Sequence, residues 1–251
     1  MRKGIWIGVL AAAMSLGLTA APVSAAKPAP RKIVYLTFDD GPNSGNDPRL
    51  LRILRREQVQ ATFFIVGQSL AADPDAVKRL YLAGHAIGNH TWAHEDLTHL
   101  STTGIASTLR ATQRLIGPVG GACMRPPYGA VNTSVVAEVN QLGMRMVMWD
   151  VDPQDWAHQD SVYIANHVIS HVRNRSVVLL HDGGGPRVAT ATAVRTIIPA
   201  LKARGYEFRT VPACRVPFRM DLLGAAKIDQ PKPEPTPTPQ LAVPTPSPTS
   251  P

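Results

Sequence analysis

Short apolar runs alternate with amphipathic, helix-like segments along the middle of the chain. The apolar runs are rich in β-branched and aromatic residues, as expected for buried strands. They lie at 33–38, 61–66, 144–151, 176–182 and 206–211. The segments between them have apolar residues at helical spacing, and several begin at a capping residue or end at glycine. Strands that alternate with helices indicate an α/β fold with a parallel sheet covered by helices.

Polar residues stand at the ends of three of these apolar runs. They are Asp39 and Asp40 after the first run, Asp152 and Asp155 after the third, and His181 at the end of the fourth. Because the carboxyl ends of parallel strands meet on one side of a sheet, this pattern predicts a β/α barrel with its site at the C-terminal mouth of the strands. An open, doubly wound sheet is the alternative.

The two ends of the chain differ from this middle part. Residues 1–26 have a basic start, an apolar stretch and small residues, which predicts a secretory signal peptide, with a retained membrane anchor as the alternative. Residues 229–251 are rich in proline and threonine, so we expect a disordered tail, a glycosylated stalk or a wall-spanning spacer. Residues 30–217 are long enough for one domain with its own core. We therefore expect a secreted, extracytoplasmic protein associated with the cell wall.

The net charge bears on the binding partners of the protein, and the two cysteines bear on its covalent structure. The formal net charge is +8, which suits an anionic polymer such as a bacterial wall but also serves general solubility. The basic residues form no run interleaved with aromatic residues, so we expect no nucleic-acid partner. Cys123 and Cys214 are the two cysteines, and in an oxidising compartment we expect them to form a disulfide. We expect the mature protein to be a monomer without a membrane span.

Two histidine pairs have a spacing at which both side chains can bind one metal ion. His90 and His94 are four residues apart, and on a helical turn this spacing would put both imidazoles on one face. His167 and His171 have the same spacing within an amphipathic segment, and we interpret them as its solvated face. The spacing alone is therefore a weak signal, and the surrounding residues must decide.

A pair of adjacent acids supplies the context for the first histidine pair. Neighbouring carboxylates such as Asp39 and Asp40 repel each other, and apolar surroundings oppose their ionisation. Two histidines and one carboxylate leave coordination positions open, which is typical of a catalytic zinc site. One acid of the pair would complete the ligand set, and the other would act as a base on water.

Five short motifs occur in a recognisable order. They are TFDDGP at 37–42, HTWAH at 90–94, RPPYG at 125–129, DPQDW at 152–156 and LLHD at 179–182. In this order they resemble the motifs of the polysaccharide deacetylase family, also called carbohydrate esterase family 4, and they span most of the predicted domain. The resemblance implies that residues 30–217 form the catalytic domain, an irregular (β/α) barrel, and that its activity is the removal of acetyl groups from sugars.

The resemblance also implies a role for each matching position. Asp39 would be the general base paired with Arg125, and His181 would be the general acid oriented by Asp155. The metal ligands would be Asp40, His90 and His94. The substrate would contact the backbone N–H of Tyr128 at its oxyanion and the side chains of Trp156 and Leu179 at its methyl group. Ordinary core packing is the alternative for Trp156.

These roles meet the physical needs of acetamide hydrolysis. The reaction requires an activated water, stabilisation of a tetrahedral oxyanion and a proton for the departing amine. We therefore predict a zinc-dependent N-deacetylase of N-acetylhexosamine polymers, with peptidoglycan as the first choice of substrate. A chitooligosaccharide deacetylase and an acetylxylan esterase are the enzymatic alternatives, and a carbohydrate-binding protein without catalysis is the alternative from another class.

Overall fold

Strands and helices alternate along the folded part of the chain. The computed structural model describes residues 31–45 and 47–224, so the predicted signal peptide and tail lie outside the described residues. The strands are β1 (Lys32–Asp39), β2 (Thr62–Ile65), β3 (Ala86–Asn89), β4 (Cys123–Met124), β5 (Arg145–Met146), β6 (Ser176–His181) and β7 (Tyr206–Phe208). The α-helices are α1 (Asp47–Arg56), α2 (Gly67–Ala72), α3 (Ala76–Leu82), α4 (Thr102–Ile116), α5 (Thr133–Gln141), α6 (Ser161–His171) and α7 (Val188–Ala203).

The strands form one parallel sheet in the order β5-β4-β3-β2-β1-β6, and β7 pairs with the first residues of β1. A parallel bridge between Val151 and Val178 places the segment after β5 beside β6. The two ends of the strand order therefore meet, and the sheet closes. This closure confirms the predicted α/β fold and the irregular barrel, and it excludes the open-sheet alternative.

The predicted strand over 144–151 is wrong in its extent. The structure has a strand only at Arg145–Met146, and the chain rejoins the sheet at Val151. The reason lies in Arg125, whose guanidinium donates to the carbonyl oxygens of Val147 and Met148 at 2.9 and 3.2 Å. These two carbonyl oxygens thus bind the side chain at the point where the strand pairing of β5 has ended, and the barrel is irregular there.

The apolar core follows the predicted strand and helix faces. The main cluster joins the residues of β1, β2 and β6 that face the helices to α1, α6 and α7. A second cluster includes Phe218 and Leu223, so the packed chain continues past residue 217. A disulfide joins Cys123 on β4 to Cys214, 91 residues later. None of the helices in the described part of the chain combines the length and apolar character needed to span a bilayer.

Candidate active site

A sharp turn after β1 brings two carboxylates to one site. Asp39 is the last residue of β1, and Asp40 has a φ of 74°, in the left-handed region. Side chains of successive strand residues point apart, but this left-handed residue redirects the second one. Glycine is required nearby, because a Cβ on Gly41 would lie 2.3 Å from Asp182 Oδ2 and one on Gly183 would lie 2.0 Å from the Asp40 carbonyl oxygen. The loop after β6, which contains Asp182 and Gly183, therefore packs in close contact with the Asp39–Asp40 turn.

Asp40, His90 and His94 form a candidate metal site. One ligand atom from each residue lies within 4.8 Å of the other two. Asp40 Oδ1 is 3.4 Å from His90 Nε2 and 3.2 Å from His94 Nε2, yet this atom is buried and accepts no hydrogen bond from the residues that the structure describes. Burial alone would raise the pKa of Asp40, but the two imidazoles outweigh it and hold that pKa well below its ordinary value. An ionised, buried carboxylate oxygen without a donor fits a bound cation.

A backbone hydrogen bond orients the ring of His90. Its Nδ1 lies 2.7 Å from the carbonyl oxygen of Arg125. A carbonyl oxygen only accepts, so Nδ1 carries a proton, and Nε2, on the side of Asp40, is the nitrogen available to a metal. Metal-binding histidines are commonly oriented by such a hydrogen bond to a backbone carbonyl. The chemistry of this donor set therefore fits a zinc-like divalent ion.

The expectation that His90 and His94 share a helical face is wrong. The segment after β3 is an irregular loop in which Thr91 and His94 have φ values of 67° and 60°. The two rings still meet edge to face, with centroids 5.0 Å apart. Asn89 stabilises the loop, because its Oδ1 accepts the Thr91 N–H at 2.9 Å and its Nδ2 donates to Leu109 of α4 at 2.8 Å.

Arg125 fixes the direction of Asp39. The guanidinium is fully buried and donates through Nη1 to Asp39 Oδ1 at 2.8 Å and to Thr37 Oγ1 at 2.8 Å. Burial lowers the pKa of Arg125, and the charge of Asp39 opposes this shift. The other oxygen, Asp39 Oδ2, lies 3.8 Å from His90 Nε2. One oxygen is therefore bound to arginine while the other faces the candidate metal site. Thr37 had not been predicted as part of this arrangement.

A second acid–histidine pair lies across the site. Asp155 is buried, and its Oδ1 is 2.7 Å from His181 Nδ1, while its Oδ2 accepts the His181 N–H at 2.9 Å. Burial would lower the pKa of His181, but Asp155 outweighs it, with smaller contributions from Asp39 and Asp40, and the net shift is upwards. The imidazolium form of His181 is therefore favoured.

Thr190, in the first turn of α7, binds the same Asp155 carboxylate that orients His181. Its hydroxyl donates to Asp155 Oδ2 at 2.6 Å, and the residue is buried. A lone threonine within a helix carries no motif, so the sequence offered no signal for it. Its position depends on α7 packing beside the loop that contains Asp155.

One cavity of about 390 Å³ is lined by Asp39, Asp40, His90, His94 and His181, whereas the fully buried Asp155 is not part of its lining. The residues Tyr128, Trp156 and Leu179, which were predicted to contact substrate, line the same cavity. Tyr128 has a φ of 58° and is 71% exposed, whereas Leu179 is buried. Trp156 is 55% exposed, so the core-packing alternative for this residue is wrong. Trp149 also lines the cavity and had not been predicted; its position within an apolar run was the available signal.

The chain is similar in sequence to known polysaccharide deacetylases. The profile of the family described as polysaccharide deacetylase matches residues 26–147. The chain is 38% identical over 183 residues to a peptidoglycan-N-acetylglucosamine deacetylase of Listeria monocytogenes, covering 72% of this chain and 38% of that protein. It is 34% identical over 194 residues to a chitooligosaccharide deacetylase of Azorhizobium caulinodans, covering 71% of this chain and 92% of that protein. It thus spans less than half the length of the Listeria protein.

A solved structure is also similar. The family 4 carbohydrate esterase from Streptomyces lividans, in complex with acetate, aligns with a TM-score of 0.68 at 31% identity. The alignment covers 75% of this chain and 97% of that chain. The similarity therefore extends over nearly the whole of the solved domain.

Proposed function

Because the chain belongs to the polysaccharide deacetylase family, we propose that it is a secreted, zinc-dependent hydrolase that removes N-acetyl groups from N-acetylhexosamine polymers, with peptidoglycan as the substrate. The observation that carries this proposal is the cavity at the mouth of the barrel. There a partly buried aspartate–histidine–histidine cluster lies between two oriented groups, Asp39 held by Arg125 and His181 held by Asp155.

Asp40, His90 and His94 would hold the metal. Their one carboxylate and two imidazoles are ligands suited to zinc, and the buried Asp40 Oδ1 accepts no hydrogen bond. Bound there, zinc would supply Lewis acidity that polarises an acetyl carbonyl and lowers the pKa of a water molecule. The identity of the metal as zinc rests on this ligand chemistry.

The remaining residues divide the proton transfers between them. Asp39 would take a proton from the attacking water through Oδ2, because Oδ1 is bound to Arg125. His181 would donate a proton to the departing amine, since Asp155 favours its charged form. The N–H of Tyr128 would stabilise the oxyanion, and Trp156 with Leu179 would enclose the acetyl methyl group. Each role is thus assigned to a different, separately oriented group.

Peptidoglycan is favoured by features outside the cavity. The chain has a net charge of +8, a signal-like segment at 1–26 and a proline-rich tail at 229–251, which suit work in a cell wall. The Listeria relative is named for activity on peptidoglycan N-acetylglucosamine. A chitooligosaccharide deacetylase is the second candidate, because the chain covers 92% of the Azorhizobium protein but only 38% of the Listeria protein.

Acetate release from defined substrates tests the proposal. The purified chain would be incubated with cell-wall peptidoglycan, N-acetylglucosamine oligomers and acetylxylan, each with and without a chelator. We expect chelator-sensitive acetate release that is fastest on peptidoglycan and is restored by added zinc. Preference for the free oligomers would favour the second candidate. Absence of metal-dependent acetate release from all three substrates would reject the enzymatic proposal.

A further inference from the structure

A groove outside the catalytic cavity is lined by arginines. It runs between α1 and α7, which pack against each other on the outside of the barrel, and its volume is about 890 Å³. Four of its arginines come from α1 and one from α7, and all are exposed. These five residues, called the arginine groove below, are Arg49, Arg52, Arg55, Arg56 and Arg195.

The charges of the arginine groove are not neutralised within residues 31–45 and 47–224. None of the five guanidiniums has a carboxylate within 4.0 Å there. The one acidic residue among those lining the groove is Glu57, and Lys202 already contacts it, with Nζ 3.4 Å from Oε2. Like charges in a concave surface repel each other and create a strong positive potential. Such a surface fits an anionic ligand.

The direction of the two helices gives the groove its shape. α1 follows the Asp39–Asp40 turn and α7 follows the loop after His181, so both helices begin at the mouth of the barrel. Along α1, Arg49 lies in the first turn and Arg56 in the last, which separates them by about 10 Å at 1.5 Å per residue. The positive charges therefore extend along the outside of the barrel, away from the mouth, as an elongated anion would require.

We propose that the arginine groove binds a linear polyanion of the cell envelope whose repeating unit contains a phosphodiester. Guanidinium groups present paired donors that match phosphate oxygens, and the groove uses arginine at all five positions. The placement of this polymer in the envelope rests on the proposed function. The groove would hold the enzyme on the wall while the catalytic cavity, which shares none of its lining residues, stays open to sugar.

Two other anionic partners fit the groove less well. A single-stranded nucleic acid would need aromatic side chains for base stacking, and no aromatic residue is among the described residues that line the groove. A membrane surface would need protruding apolar residues, whereas the groove is concave and its apolar lining comes chiefly from Ile53 and Pro199. A linear phosphodiester chain needs only a row of cations.

Binding of a labelled polymer to matched charge variants tests this proposal. The probe is fluorescent poly(glycerol phosphate), and its anisotropy is measured with the full chain at about 50 and about 150 mM salt. The groove variant carries Arg52→Gln, Arg56→Gln and Arg195→Gln. The control variant carries Arg145→Gln, Arg173→Gln and Arg215→Gln, which remove the same charge from exposed positions outside the groove.

We expect the groove variant to lose about tenfold or more in affinity and to show a shallower salt dependence, because fewer counterions are released on binding. The control variant should lose much less. Both variants should keep the wild-type circular dichroism spectrum and the wild-type rate of acetate release from soluble oligomers.

Several results would overturn the proposal. They are equal weakening by both variants, absence of binding by the wild type, equal affinity for polyglutamate, and tighter binding of oligothymidylate or phosphatidylglycerol vesicles at equal anion concentration. Anisotropy requires no turnover, so a failure here is distinguishable from a failure of the proposed enzyme activity. Loss of acetate release with polymer binding intact would count against the proposed function alone.

Discussion

Asp39 and Asp40 are adjacent in sequence but have different surroundings. Asp39 ends an extended strand and accepts a hydrogen bond from Arg125. Asp40 has a left-handed backbone conformation, and its buried Oδ1 has no hydrogen-bond donor among the described residues. Arg125 also accepts the hydrogen bond from His90 through its carbonyl, so one residue orients both the proposed base and a proposed ligand. The difference between the two acids is thus imposed by partners far away in the chain.

Asparagine substitutions should separate the two acids. Asp39→Asn should keep metal bound, since its amide oxygen can still accept from Arg125, but should lower turnover by about a hundredfold or more because a base is lost. Asp40→Asn should lower the metal content itself, because the anionic ligand is removed. Metal analysis of each variant, together with acetate release, measures both effects. An Asp39→Asn protein that loses metal would show that this residue is a ligand instead.

The pH dependence should identify His181 as the acid. Its pKa is raised because Asp155 outweighs burial, so the charged, proton-donating form persists as pH rises and is lost only above that raised pKa. In Asp155→Asn the burial effect would remain without the carboxylate, and the pKa of His181 should fall. We therefore expect the basic limb of the kcat/KM profile to move to lower pH. An unchanged basic limb would mean that another group donates the proton.

At the level of secondary structure, the histidine pairs show that spacing alone does not define a site. His167 and His171 lie on α6, one turn apart, with ring centroids 4.2 Å apart. His90 and His94 have the same spacing in a loop, and of the two pairs only this one lies beside a buried carboxylate. The loop reaches this shape because β3 and α4 hold it, which a local pattern does not encode.

The first turn of α7 should matter for catalysis although it does not line the cavity. Thr190→Val removes the hydroxyl that donates to Asp155 Oδ2 while keeping the side-chain volume. We expect kcat to fall by about three- to tenfold, the equivalent of one hydrogen bond, with KM and metal content unchanged. Thr190→Ser retains the donor and should recover most of the activity. A valine variant with the wild-type kcat would contradict the role of this hydrogen bond, and a slow serine variant beside it would make packing of the methyl group the cause.

At the scale of the whole molecule, the closed barrel collects buried acids beneath its mouth. Asp47 and Asp182 are both buried, and burial raises the pKa of Asp182 well above its ordinary value, helped by the charges of Asp47, Asp40 and Asp39. Burial also raises the pKa of Asp47 from 3.8 to about 6. These groups oppose folding once they ionise.

Stability should therefore depend on pH through Asp47. Because its pKa is raised in the folded state, Asp47 makes a contribution to the free energy of unfolding that is fully present below about pH 3.8. This contribution is lost as the pH rises through about 6. Asp47→Asn does not titrate, and its amide oxygen can keep the hydrogen bond from the Asn43 N–H. As pH rises between these values, we expect the variant to gain about 1 kcal/mol or more in unfolding free energy relative to wild type. Urea unfolding at several pH values measures this, and parallel pH curves for the two proteins would contradict it.

Local patterns in the sequence determine much of the fold. Apolar runs and helical periodicity depend on neighbouring residues, so β1, β2 and β6 were predicted close to their observed bounds, and helices were expected between the apolar runs, where the structure has them. Strands β3 and β4 were missed, because the sequence of β3, AIGN, includes glycine and asparagine and β4 has only two residues, so neither forms an apolar run. The five motifs likewise named most of the residues that line the cavity, since each motif is a contiguous segment.

Contacts between distant segments were decided only by the tertiary structure. Three hydrogen bonds illustrate this: His90 to Arg125, Arg125 to Val147 and Thr190 to Asp155. Each joins residues that are at most 35 positions apart but lie in different segments of the fold. Arg195 meets the arginines of α1 because β6 pairs directly with β1, which brings α7 beside α1. The amino-acid sequence by itself determined which elements and reactive groups are present. The packing of the barrel decided which atoms face one another, because hydrogen-bond direction and charge pairing depend on positions that no local pattern specifies.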